Sequence, residues 1–297
     1  MRKALKWIGI GIGGLIGVAL IAATAFALIG RSRLNGRYEV THVLPAEAVS
    51  NASVEVGARI AQTRGCFECH DPGFRGKIFV DIPPGRIATP NLTKGQGGIG
   101  SNYRTLDDWD HVIRFGIRPD GSPVFPFMPF EIYRRLSDAD AASLAAYLAN
   151  LPPVDNQPPP LEVRPLGYLI MGTPGSSPSA KLEEQAKPQP TAPPPGPTAE
   201  YGRYIASTTC VVCHGENLLG GKHPAPEGPA AADLSRAGEW SLEQFTVALR
   251  TGVVPDGRKF TQWMPWQFFS AFTDEEVQAL HEYLKTLGAG ANGGPAS

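Results

Sequence analysis

Cys66-Phe67-Glu68-Cys69-His70 and Cys210-Val211-Val212-Cys213-His214 contain all four cysteines of this 297-residue chain. In each stretch two thiols stand three positions apart, a spacing that places both side chains on the same side of one helical turn. A histidine directly follows the second thiol each time. This pattern, present twice, predicts two equivalent sites for a group that reacts with paired thiols.

A pair of cysteines followed by histidine is the attachment motif of c-type haem. The thiols can add to the two vinyl groups of the porphyrin, and the adjacent imidazole then binds the iron from the proximal side. We therefore expect two covalently bound haem c groups, with His70 and His214 as iron ligands. The four attachment residues are Cys66, Cys69, Cys210 and Cys213.

Two other chemistries use paired cysteines. A zinc ion bound by all four thiolates is one alternative, although it gives no role to the histidine after each pair. A thioredoxin-like redox pair is the other, although no βαβ pattern surrounds either stretch. The zinc alternative also does not explain why the two pairs lie in separate copies of the repeat described next.

The chain contains an internal repeat, which aligns without a gap at an offset of 136 residues over its later part. The matched pairs include Gly116 with Gly252, Met128 with Met264, and Tyr147 with Tyr283. Self-similarity on this scale indicates a duplicated structural unit. We expect a first repeat at residues 50–151 and a second at 199–297, the latter ending in a short glycine-rich tail.

Methionine supplies the predicted second ligand of each iron. Met128 and Met264 occupy equivalent positions, and each is preceded by an aromatic residue and followed by proline. A methionine is ordinarily core filling, but two at matched sites favour thioether ligation of the haem iron. Met171 is the weaker alternative, because it has no counterpart in the other repeat.

The N-terminal region predicts a membrane anchor. Basic residues precede an uncharged run at about 7–30, which is long enough to cross a hydrocarbon core of roughly 30 Å as a helix. A cleaved signal peptide is the alternative, because alanines near the end of the run form A-x-A patterns. We expect residues 1–49 to form an uncleaved anchor and a spacer.

The predicted fold class is all-α, with two tandem haem domains and an N-terminal transmembrane helix. Thr105, Ser137, Ser241 and Thr273 are the expected N-caps of its helices. Residues 152–198 hold almost half of the 29 prolines and predict a semi-rigid linker. Its apolar part, 161–171, is expected to pack on the first repeat, while 174–197 would let the second repeat swing between partners.

Charge limits the class of partner. The net charge of -1 argues against nucleic acid, which requires a basic face. The second repeat is acidic, with 11 Asp and Glu against 7 Lys and Arg in residues 199–297. We expect it to bind a basic face of a redox partner in a salt-sensitive manner.

Each repeat resembles the class I cytochrome c domain, a few helices around one haem with histidine and methionine ligands. The segments 89–93, 116–121 and 127–130 are similar to those of cytochrome subunits of bacterial membrane-bound alcohol and gluconate dehydrogenases. The resemblance implies that Gly57 and Gly202 let the first helix cross close to Tyr147 and Tyr283, and that the Pro90 carbonyl orients His70. Those subunits usually carry three haem motifs, whereas this chain has two.

The predicted function is single-electron transfer by a dihaem cytochrome that is not itself an enzyme. We expect it to be single-pass in the inner (cytoplasmic) membrane, with both haems facing the periplasm. Expected partners are a dehydrogenase, an oxidase or another respiratory or photosynthetic complex. The alternatives are a dihaem redox enzyme, either a peroxidase or a sulfur-compound dehydrogenase, and a haem-bearing subunit of a larger respiratory assembly.

Overall fold

The computed structural model describes residues 2–174, 191–222 and 228–291, and it is mostly helical. The helices up to residue 174 are α1 (Arg2–Asn35), α2 (Ala46–Ser50), α3 (Val54–Thr63), α4 (Cys66–His70), α5 (Leu106–Phe115), α6 (Phe130–Tyr133), α7 (Asp138–Ala149) and α8 (Pro165–Met171). Those after it are α9 (Ala199–Ser207), α10 (Val211–His214), α11 (Leu242–Thr251), α12 (Trp266–Phe269) and α13 (Asp274–Ala291).

The predicted N-caps are confirmed. The hydroxyls of Thr105, Ser137, Ser241 and Thr273 each accept a hydrogen bond from the backbone N–H three residues later. Such bonds satisfy donors that the first helical turn leaves unpaired. They set the starts of α5, α7, α11 and α13, so the last two long helices of each repeat begin at equivalent residues.

The all-α prediction misses a small antiparallel sheet. Its strands are β1 (Ile78–Ile82), β2 (Gly85–Ala88) and β3 (Glu162–Val163), in the order β1-β2-β3. The strands are too short for an alternating pattern to stand out, and β3 comes from the proline-rich segment far along the chain. That segment therefore packs on the first repeat, as expected for residues 161–171, while most of 174–197 lies outside the described residues.

Each repeat has its own hydrophobic core, and in each the first helix crosses the last at a glycine. A Cβ at Gly57 would lie 2.0 Å from the Ser143 carbonyl oxygen, and a Cβ at Gly202 would lie 1.9 Å from that of Ala279. The β-carbons of Tyr147 and Tyr283 are the next neighbours. The crossings implied by the resemblance are therefore confirmed.

Helix α1 is long and apolar enough to cross a membrane, a property that a signal sequence shares. Its second half packs closely on α8. A Cβ at Gly30 would lie 1.9 Å from the Tyr168 carbonyl oxygen, and Arg33 donates to the carbonyl oxygens of Met171 and Thr173 at 2.8 and 2.6 Å. The apolar helix is thus attached to the first repeat through α8 as well as through the chain itself.

The two repeats are in direct contact in the described structure, and the linker expected to let the second repeat swing lies mostly outside the described residues. Two contacts across the interface are equivalent, with the roles of the two repeats exchanged. Arg59 of α3 pairs with Glu276 of α13 at 3.4 Å, and Tyr204 of α9 donates to Asp140 of α7 at 2.5 Å. Because Arg59 and Tyr204 each lie two residues after the crossing glycine, the repeats are related by an approximate twofold axis.

A buried charge cluster fastens the N-terminal spacer to the first repeat. Asp110 and Arg114 are fully buried and paired with each other, and Arg114 lies 2.9 Å from Asp138. His42 of the spacer accepts a hydrogen bond from Arg114 at 2.9 Å, while His111 donates to the His42 carbonyl oxygen at 2.7 Å. A buried cluster of this kind is stable only while its charges remain balanced.

Protonation of His42 is predicted to destabilise the fold. Burial lowers the pKa of His42 from 6.5 and the Arg114 charge lowers it further, against opposing effects of Asp110 and Asp138. The unfolded chain then binds the proton more readily, so stability present above pH 6.5 is lost as the pH falls through 6.5 towards the folded pKa. Denaturant unfolding in detergent between about pH 7.5 and about 5.5 should show a smaller acid loss in His42→Gln than in the original chain. Equal losses would contradict this assignment.

Candidate cofactor site

The sequence-predicted residues of the first repeat come together around one cavity. Cys66, Cys69, His70 and Met128 all line it. The remaining walls are largely apolar, and they come from α5, α7, the sheet and the loop before α6. The apolar wall includes Phe74, Ile87, Leu92, Trp109, Val112, Val124, Leu144 and Leu148.

The thiol-bearing turn is held in place by the backbone on both sides. Gly65 has a φ of 71°, which lies in the left-handed region that favours glycine, and it turns the chain sharply between α3 and α4. After the turn, the Gly76 N–H donates to the His70 carbonyl oxygen at 2.9 Å. The second repeat makes the equivalent bond from Gly220 to His214 at 3.0 Å.

A backbone carbonyl orients each histidine ring. His70 Nδ1 lies 3.2 Å from the Pro90 carbonyl oxygen, as the resemblance implied, and His214 Nδ1 lies 2.7 Å from that of Ala232. An N–H at Nδ1 that donates to a carbonyl fixes the tautomer and leaves Nε2 available to a metal. The partner of His214 was not expected, because Ala232 has no proline to mark its alignment with Pro90.

A buried asparagine stabilises the loop that carries this carbonyl. Asn91 is fully buried, and its amide donates to the carbonyl oxygens of Val154 and Asn156 at 2.7 and 3.0 Å. Its own oxygen accepts from the N–H and hydroxyl of Thr93. The start of the proline-rich segment therefore holds the loop on which His70 depends.

The two methionine loops have the same conformation. The N–H of Phe130 donates to the Met128 carbonyl oxygen at 2.9 Å, and that of Trp266 donates to Met264 at 2.8 Å. In both loops the following proline precedes a short helix, α6 or α12. Met128 lines the cavity with the thiols, whereas the Met171 backbone binds Arg33 at the junction of α8 and α1.

The site environment favours uncharged groups. Burial raises the pKa of Cys66 to about 12, that of Cys69 to about 11 and that of Cys210 to about 12. Burial also lowers the pKa of His70 to about 4, so the imidazole is neutral and can act as a ligand. The thiols and the imidazole are therefore uncharged at neutral pH.

The residues present fit a covalently attached haem. Two thiols on one turn could attach the porphyrin, and an oriented imidazole and a thioether lining the same apolar cavity are the donor set of a low-spin haem iron. The zinc alternative is not supported, because the described part of the chain contains no group of three or more His, Cys, Asp and Glu side chains that could hold a metal ion. The geometry defines a haem-binding domain of the c type.

The chain belongs to the cytochrome c family, whose model matches it twice, at residues 54–152 and 199–288. The predicted resemblance is therefore confirmed. Family membership implies covalently bound haem c as the cofactor.

The curated relatives include several cytochrome subunits of dehydrogenases. The chain is 31% identical over 230 residues to the fructose dehydrogenase cytochrome subunit of Gluconobacter japonicus, covering 74% of this chain and 45% of that protein. It is 29% identical over 276 residues to the cytochrome c subunit of alcohol dehydrogenase (quinone) of Gluconacetobacter polyoxogenes, covering 80% and 56%. It is 25% identical over 283 residues to the gluconate 2-dehydrogenase cytochrome c subunit of Pantoea cypripedii, covering 83% and 62%.

The family match and the names of these relatives agree with the resemblance to cytochrome subunits of dehydrogenases predicted from the sequence. The chain spans about half the length of the curated relatives it matches. Residues that the sequence analysis missed lie where the repeats meet, above all Arg64 and Thr208. Their positions relative to the two cysteine pairs were visible in the sequence, but only the fold brings them into contact.

Proposed function

We propose that this chain is a membrane-anchored dihaem c-type cytochrome that transfers single electrons from a dehydrogenase to an acceptor on the periplasmic side. The main support for this proposal is that the same set of groups occurs in both repeats. Each repeat has a cysteine pair, a histidine oriented by a backbone carbonyl and a methionine loop. When bound, the haem supplies a one-electron iron couple. The surrounding chain changes little in such a transfer.

The residues have separate roles in this proposal. The four cysteines would hold the porphyrins, and His70 and His214 would bind the irons through Nε2. Met128 and Met264 would supply the thioether ligands. The apolar walls exclude water, and both burial and thioether ligation favour the ferrous state.

The anchor and the partner follow from different observations. Helix α1 has the length and composition of a membrane span, and its contact with α8 would hold the first repeat close to the membrane surface. The relatives are named as cytochrome subunits of dehydrogenases, which supports a dehydrogenase as the electron donor. The acidic second repeat supports docking on a basic surface.

Loss of either methionine should change the spin state of one haem only. Met128→Ala and Met264→Ala should each convert one of two low-spin haems to a high-spin form that binds carbon monoxide, because the sixth iron position becomes open. Met171→Leu is the matched control and should keep both haems low-spin. Absorption and electron paramagnetic resonance spectra report the change, and two low-spin haems in Met128→Ala would contradict the assignment.

A dehydrogenase substrate should reduce the haems in native membranes. Under anaerobic conditions, addition of fructose, ethanol or gluconate is expected to produce the ferrous absorption bands of this chain with at least one of the three. Membranes carrying a Cys66→Ser/Cys210→Ser variant provide the control. No reduction by any of them, together with high-spin ferric haem and rapid peroxide turnover, would favour the dihaem enzyme instead.

A further inference from the structure

Arg64 lies at the centre of the contact between the two repeats. It stands two residues before Cys66, and Thr208 stands two residues before Cys210, so the two positions are equivalent. Arg64 Nε donates to Thr208 Oγ1 at 3.2 Å, and both side chains are buried. The approximate twofold axis therefore brings the residues leading into the two cysteine pairs together.

The guanidinium of Arg64 is surrounded by neutral groups. Its Nη1 donates to Thr63 Oγ1 at 2.7 Å, and its Cζ lies 5.8 Å from the centre of the Phe272 ring. The Tyr133 hydroxyl donates to the Arg64 carbonyl oxygen at 3.0 Å. Arg64 is only 9% exposed. Among the residues that the structure describes, no carboxylate oxygen lies within 4.0 Å of its guanidinium, the distance that defines an ion pair.

The other cations of the interface are paired. Arg59 binds Glu276, and Arg135 binds Glu216 at 2.6 Å in an exposed position. Burial of a charge without a counter-ion is costly. A cation kept in this state is therefore expected to act on other charges nearby.

The positive charge of Arg64 acts on one cysteine of each pair. Burial is the main influence on the pKa of Cys66 and of Cys210 and raises both, while the positive charge of Arg64 opposes it in each case. A ferric haem iron carries one more positive charge than a ferrous one. A buried cation beside both attachment turns would therefore disfavour the ferric state at both sites.

We propose that the positive charge of Arg64 raises the reduction potential of both haems at once. This inference rests on the proposed dihaem function. Reduction of each iron takes up one electron, and Arg64 keeps its proton and all its bonds. The single cation thus acts on both redox sites, because the contact between the repeats places it beside both cysteine turns.

Removal of the Arg64 charge should lower both midpoint potentials. In spectroelectrochemical titrations of the purified holoprotein, Arg64→Gln and Arg64→Met should reduce the ferrous-to-ferric ratio of each haem by roughly tenfold at the original midpoint, the order of magnitude for loss of one buried unit charge in a partly polar medium. Arg64→Lys should retain most of the potential. Arg135→Gln is the matched control and should leave both potentials close to their original values.

A further variant distinguishes an effect of the Arg64 charge from an effect of packing at the interface. Thr208→Val removes the hydrogen bond but keeps the cation, so its potentials should stay high; a fall as large as in Arg64→Gln would overturn the proposal. Unchanged potentials in both uncharged variants, or a change at one haem alone, would also overturn it. A pyridine haemochrome assay on every sample counts the haems, so that failure of the dihaem assignment is distinguished from failure of this inference.

Discussion

The close crossing of the first and last helices is the constraint on which each repeat depends. At Gly57 and Gly202 a helix backbone lies against a carbonyl of its partner at a distance that leaves no room for a Cβ. This crossing fixes the position of the first helix, including the end that leads to the cysteine turn. Because the cysteine turn follows that end directly, the crossing also places both thiols and the histidine at the wall of the cavity. The short helices and the methionine loop then close the remaining sides.

Direct contact between the repeats changes how electron transfer is understood. Two flexibly joined carriers would exchange electrons only when their motion brings them together. Here the contacts of Arg59 with Glu276 and of Tyr204 with Asp140 hold the repeats about an approximate twofold axis. The segments that lead into the two cysteine pairs meet at that axis, so the proposed haem sites lie on either side of one buried interface rather than at the ends of a tether.

The sequence predicted those features that are marked by local chemistry. Cysteine pairs and capping hydroxyls each have a short-range signature, and each occurs in both repeats. The crossing glycines were implied by the resemblance to the class I cytochrome c domain. The small sheet was missed because β3 comes from a proline-rich segment that local patterns describe as a linker. The contact between repeats was missed for a related reason: Arg64 and Thr208 have ordinary sequence surroundings, and only the tertiary arrangement buries them together.

If each repeat holds one porphyrin through its own cysteine pair, intact-protein mass spectrometry after acid-acetone extraction should count the porphyrins. Two covalently retained haem groups are expected on the original chain. One is expected on a Cys66→Ser/Cys69→Ser variant and one on a Cys210→Ser/Cys213→Ser variant. A chain that loses all its pigment to the solvent, or a mass without added porphyrin, would contradict it.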